Sequence, residues 1–91
     1  MEPEHVPDVD LVVRLRRSPN GVVLEKLGMS WEVNDVGALV WQLMDGKRSL
    51  LEVSRLVAAE YPDQSADVVL DDVLDLVTAF VEAGLATVTS P

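Results

Sequence analysis

At Asn34 the hydrophobic period of this chain changes from two residues to about 3.6. Before that point apolar and polar residues alternate, as half-buried strands require. After it, apolar residues recur at helical spacing almost to the end. A chain divided in this way folds as strands first and helices second, which places it in the α+β class. With 91 residues there is room for one small domain, so sheet and helices must share one core.

The strand half resolves into three segments. Leu11, Val13 and Leu15 share one face of a first strand, with Arg14 and Arg16 on the other. Ser18-Pro19-Asn20-Gly21 turns the chain, because proline presets φ and Asn-Gly tolerates the positive φ of a tight hairpin. Residues 22–26 form a second strand and Leu27-Gly28 a second turn. Residues 29–33 form a third strand, with Met29, Trp31 and Val33 on one side and Ser30 and Glu32 on the other. Together they read as an antiparallel meander. Residues 1–10, with Pro3, Pro7 and several acids, read as a flexible or extended arm ahead of a domain spanning 11–88.

The helical half carries its own punctuation. Asn34 is a good N-cap for a first helix whose Val36, Leu39, Val40, Leu43 and Met44 form one stripe, stopped by Asp45-Gly46. Ser49 and Glu52 make a capping box for a second helix, with Leu50, Val53, Val57 and Tyr61 on one face and Pro62 at its end. Ser65 caps a third, which runs to about Ala83 before Gly84 breaks it. Residues 85–88 read as a short extended tail. The expected order is βββααα.

Charge and composition exclude several functions. Seven Lys and Arg against sixteen Asp and Glu give a net charge of −9, and nothing basic follows Arg55. Such a chain repels phosphate backbones, so nucleic acid is not an expected partner. Without cysteine there is no disulfide, thiolate metal site or cysteine nucleophile. No apolar run approaches the roughly 20 residues of a membrane span, and the start lacks a signal peptide's layout, so no membrane partner is expected and the location is read as cytoplasmic. His5, the only histidine, lies in the arm with nothing to orient it. No phosphate loop, nucleophile elbow or zinc helix occurs. Asp67, Asp71, Asp72 and Asp75 make a solvated helical face rather than a metal site. No catalytic residue, metal or cofactor is expected, and the chain reads as a binding protein rather than an enzyme.

The third helix is unusually apolar around its circumference. Val69, Val73, Leu76 and Phe80 form one stripe and Leu70, Leu74, Val77 and Val81 a second, together covering about 160°. Either this is the central helix of a small core, or one margin stays uncovered and receives a partner. If the third strand is the sheet's open edge, its free N–H and C=O groups can accept an added strand. Backbone hydrogen bonds on one wall and apolar side chains on the other would make a peptide site. Trp41 lies off its own helix's stripe, so it either packs under a neighbouring helix or marks an interface. Trp31 reads as core.

Gly21-Val-Val-Leu24, Trp31-Glu-Val-Asn34-Asp-Val-Gly37-Ala-Leu-Val-Trp41-Gln-Leu-Met-Asp-Gly46, and then Ser49, Val53, Tyr61-Pro62, Asp72-Val73, Leu76 and Gly84-Leu85 resemble the pattern of PqqD-like proteins over residues 10–88. Val33 stands where that pattern usually has leucine. The resemblance implies a winged helix-turn-helix variant acting as a RiPP recognition element. Such a module binds the leader of a ribosomally made precursor peptide and presents it to separate modifying enzymes, a lasso-peptide leader peptidase and cyclase or a radical SAM enzyme of PQQ-like biosynthesis. It implies strand addition along Met29, Ser30, Trp31, Glu32 and Val33, with Val69, Val73 and Leu76 taking apolar leader side chains and Asp72 a polar or basic one. The competing margin of the helix is Leu70, Leu74 and Val81. The alternative function is a winged-helix DNA-binding transcription regulator.

Overall fold

The computed structural model describes residues 1–90. Along the chain run β1 (Val6–Val9), β2 (Arg14–Ser18), β3 (Gly21–Lys26), β4 (Met29–Asn34), α1 (Asp35–Leu43), α2 (Leu50–Glu60), α3 (Ala66–Glu82) and β5 (Ala86–Thr89). Strands β2, β3 and β4 form an antiparallel sheet in that order, so β4 is an edge. Strands β1 and β5 pair separately as an antiparallel ribbon, with Val6 opposite Thr89. The α+β class and the order of three strands then three helices are as expected, with one further strand at each end.

Local chemistry sets the helix starts. The Asn34 side chain accepts from the Gly37 amide at 2.9 Å. Ser49 and Glu52 exchange both bonds of their capping box at 3.1 Å each. Ser65 Oγ accepts from the Val68 amide at 3.3 Å. The helices close over one face of the sheet, burying Leu24, Val40, Leu50, Val53, Val57, Val73, Val77 and Leu85 completely. Trp41 is buried with them and meets Phe80 edge-to-face, ring centroids 5.3 Å apart. Its position off the α1 stripe is explained by packing on α3.

Glycine is required at two close approaches. A Cβ on Gly37 would strike the Val33 side chain, and one on Gly21 would strike the Val33 carbonyl oxygen, so both residues let β4 lie close to its neighbours. The β3–β4 turn places Leu27 at φ 51° and Gly28 at φ 80°. This mirror-image geometry matches strand twist but normally calls for Asn or Asp at the first position. Leucine there costs about 1 kcal/mol.

Two expectations need correction. The first strand begins at Arg14 rather than Leu11, because Asp10 organises a turn: its carboxylate accepts from the Val12 amide at 3.0 Å and its carbonyl from the Val13 amide at 3.0 Å. Leu11, Val12 and Leu15 are therefore exposed. Nor are residues 1–10 a loose arm. Pro7 is fully buried, and the carbonyls of Pro3 and His5 each accept from the Leu51 and Leu50 amides, respectively, at 2.9 Å. These amides belong to the first turn of α2, where no intrahelical acceptor exists. The segment is held by that need and by pairing with β5.

Candidate functional site

Strand β4 leaves half of its main-chain groups free. Lys26 and Met29 flank a two-residue turn and form a hydrogen-bonded pair, after which bonded and non-bonded pairs alternate. Trp31 and Val33 therefore bond to β3, while Ser30 and Glu32 aim their N–H and C=O groups away from the sheet. The side chains alternate too: Trp31 and Val33 turn toward the helices, half-buried, while Ser30 and Glu32 are exposed on the opposite face. Met29, at the head of the strand, is 63% exposed.

Beside this edge runs α3, antiparallel to β4, with a groove between them. One stretch, about 260 Å³, is lined by Trp31 to Asn34 on β4 and by Leu76, Ala79, Phe80 and Ala83 on the helix, with Leu85 at its end. A second, about 380 Å³, shares Asn34, Leu76 and Ala79 and continues to Val36, Asp72 and Asp75. From Asp72 to Ala83 the helix rises about 16 Å, the length of roughly five residues of extended chain. The floor is apolar. Carboxylates of Asp72 and Asp75 mark the rim, so the groove favours a neutral or basic occupant.

The expected site residues divide on this geometry. Trp31, Val33 and Leu76 meet across the groove, Glu32 lies on its strand wall and Asp72 at its far end, while Met29 and Ser30 are exposed earlier on the same strand and line neither stretch. Trp31 does both: half-buried, it packs against the core as expected and lines the groove. Val69 and Val73 are buried and line an adjoining hollow of about 230 Å³ with Val36, Val57, Tyr61, Gln64 and Asp72, which shares Val36 and Asp72 with the far stretch of the groove. They turn inward because α3 is held against α1 and α2 through that stripe. On the competing margin, Leu70 faces α2 in another hollow with Leu51, Ser54 and Ala58, and neither Leu74 nor Val81 lines the groove. The expected site leaves out Ala79, Ala83 and Phe80, the last of which the sequence places only on the apolar stripe of the helix. Two of these are small residues, which a search for large apolar stripes passes over.

Elsewhere the chemistry is sparse. Among the described residues no three His, Asp or Glu side chains gather as a metal site, and no helix is long and apolar enough to cross a membrane. Lys26 Nζ bonds Asp10 Oδ2 and the Gly84 carbonyl, each at 2.7 Å, tying the sheet to the end of α3. That ammonium and the Val12 amide hold the Asp10 carboxyl below its ordinary range. The Asp45 carboxyl is also lowered, by the amides of Arg48 and Lys47.

The family model for coenzyme PQQ synthesis protein D (PqqD) matches residues 10–86. Two solved structures share the fold. The PqqD truncation of Methylobacterium extorquens PqqCD, a stand-alone RiPP recognition element determined by solution NMR, superposes with a TM-score of 0.76 at 21% identity, covering 90% of this chain and 88% of that one. Lasso peptide synthetase B1, complexed with the leader peptide, superposes with a TM-score of 0.76 at 25% identity, covering 89% of this chain and 96% of that one. No curated protein sequence matches.

Proposed function

The chain belongs to the PqqD family, and from that premise we propose that it binds the leader segment of a ribosomally synthesised precursor peptide and delivers it to the enzymes of RiPP natural-product biosynthesis. The observation that carries this reading is the continuous groove whose one wall is a free strand edge and whose other is the apolar flank of α3. A leader adds as a fourth strand, taking main-chain hydrogen bonds from Ser30 and Glu32, which ask little of its sequence. Its apolar side chains enter between Trp31, Val33, Leu76 and Ala79, and Asp72 and Asp75 receive a polar or basic residue at the far end. Ordering a flexible leader consumes several kcal/mol of the interaction, so affinity in the micromolar to high-nanomolar range follows.

The module binds and does not catalyse. Chemistry on the peptide belongs to a separate modifying enzyme, of the leader peptidase and cyclase type or the radical SAM type. The DNA-regulator alternative is disfavoured by α3, whose charged residues, Asp67, Asp71, Asp72, Asp75 and Glu82, are all acidic where phosphate contacts need Lys and Arg.

The test is an NMR titration with the leader of the precursor peptide encoded nearest this gene, with a scrambled leader and a DNA duplex as controls. Shifts are expected along β4 and at Asp72 to Ala83, with the largest amide changes at Ser30 and Glu32. Ala79→Trp fills the groove from an exposed position and leaves the core intact. It is expected to weaken leader binding about tenfold or more, some 1.4 kcal/mol, as is Leu76→Asp. Unchanged affinity in folded Ala79→Trp sinks the groove assignment, and shifts with DNA but not leader sink the function.

A further inference from the structure

Leu11, Val12, Leu15, Leu27 and Met29 are all exposed, and they gather at one corner of the β2–β3–β4 sheet. Arg14 lies opposite Glu25, so the turn before β2 and the 27–28 turn lie at the same end of the sheet. The Asp10–Lys26 ion pair, 2.7 Å, pins the two turns together. The fold has no use for the Leu11 and Leu27 side chains, each 92% exposed. Leu27 also sits at a left-handed φ of 51°, where an exposed turn would take Asn, Asp or Gly with less strain. A residue unfavourable both in backbone and in hydration points to a contact outside the chain.

Charge narrows the choice of contact. In a chain of net charge −9, Arg14 and Arg16 share one face of β2 toward this corner, whereas Arg17 points to the other face nearer the β2–β3 turn. Arg16 pairs with Glu25 at 2.7 Å, whereas Arg14 and Arg17 form no ion pair among the described residues. The corner is therefore apolar with a basic flank, while the groove rim is acidic. It also adjoins the groove, because Met29 heads β4 and Lys26 reaches the Gly84 carbonyl beside Ala83 and Leu85. A peptide leaving that end of the groove emerges next to the corner. A second copy fits poorly, since a two-fold contact here would set like arginines face to face.

We propose that this corner docks the enzyme that processes the groove-bound peptide, through an apolar patch on that enzyme rimmed by Asp and Glu. The proposal rests on the leader-binding reading. Docking here holds the enzyme where the peptide leaves the groove and leaves the β4 edge free.

The experiment measures two affinities separately: for the leader by fluorescence anisotropy, and for the modifying enzyme encoded beside this gene by biolayer interferometry. The variants are Leu11→Ser with Leu27→Asn, and Arg14→Glu. Leu27→Asn relieves the turn, so the first variant is expected to melt no lower than the parent. Both are expected to weaken enzyme binding about tenfold or more and to leave leader affinity within about twofold, with parental enzyme binding falling as salt rises. Unchanged enzyme affinity in both variants overturns the proposal, as does a parent chain that binds leader but no enzyme. Also overturning it are a parental dimer in sedimentation that the first variant dissolves without altering enzyme affinity, and binding of phosphatidylserine vesicles in place of the enzyme. Loss of leader binding by the parent chain would instead strike the groove reading, and with it the premise of the proposal.

Discussion

Val33 serves the sheet, the helices and the groove at once, and two glycines make that possible. Gly37→Ala forces a methyl group into the Val33 side chain. It is expected to destabilise the fold by about 1–3 kcal/mol in urea titration and to weaken leader binding by displacing the groove floor. Stability without any loss of affinity would show that Val33 does not contact the leader. Single residues that act locally were readable from sequence: Asn34, Ser49 and Ser65 cap helices because each satisfies amides two or three residues ahead. Val69 and Val73 were not, since a helix viewed alone does not reveal which side its neighbours cover. Ala79 and Ala83 leave room rather than fill it, a role that hydrophobic spacing does not register.

Among the elements, α2 depends on a segment distant in sequence. Its capping box serves the Ser49 and Glu52 amides, and the carbonyls of His5 and Pro3 serve Leu50 and Leu51. Removing residues 1–9 is expected to lower the denaturation midpoint and to accelerate hydrogen exchange at the Leu50 and Leu51 amides before the rest of α2. Uniform acceleration through all three helices would mean that β1 supports the fold as a whole rather than this helix end. Ser49→Ala is expected to cost about 1 kcal/mol. The alternation of β1 is hidden by Pro7 and the surrounding acids, and its partner lies at the other end of the chain, so the sequence showed only an irregular start. Proline is accommodated because its missing N–H lies on the side of β1 away from β5, where only its carbonyl is used, accepting from the Gly46 amide at 3.0 Å. The meander and three helices were legible for the opposite reason: each is bounded by its own turns and caps.

For the whole molecule, acid is the condition that loosens the joints. Asp10 and Asp45 have folded-state pKa values below the ordinary 3.8. On acidification the unfolded chain takes up their protons first, so their stabilisation is complete above that value and disappears as pH falls through the lowered folded values. Urea midpoints are expected to be level from neutral pH to about 5 and to drop below about 4. Asp10→Asn should reduce the drop, and an unchanged acid limb would remove Asp10 from the account. The β1–β5 ribbon has a different kind of consequence. Because Val6 faces Thr89, the chain enters and leaves at one spot, and the unit can be handled as a cassette. A circular permutant joining Thr89 to Val6 through a short Asn-Gly link, reopened between Pro19 and Asn20, should keep the same architecture with a looser start to α2, since it loses the Pro3 and His5 carbonyls. So should a graft of the unit into a surface loop of a host protein, where a single narrow stalk would carry the peptide-binding groove.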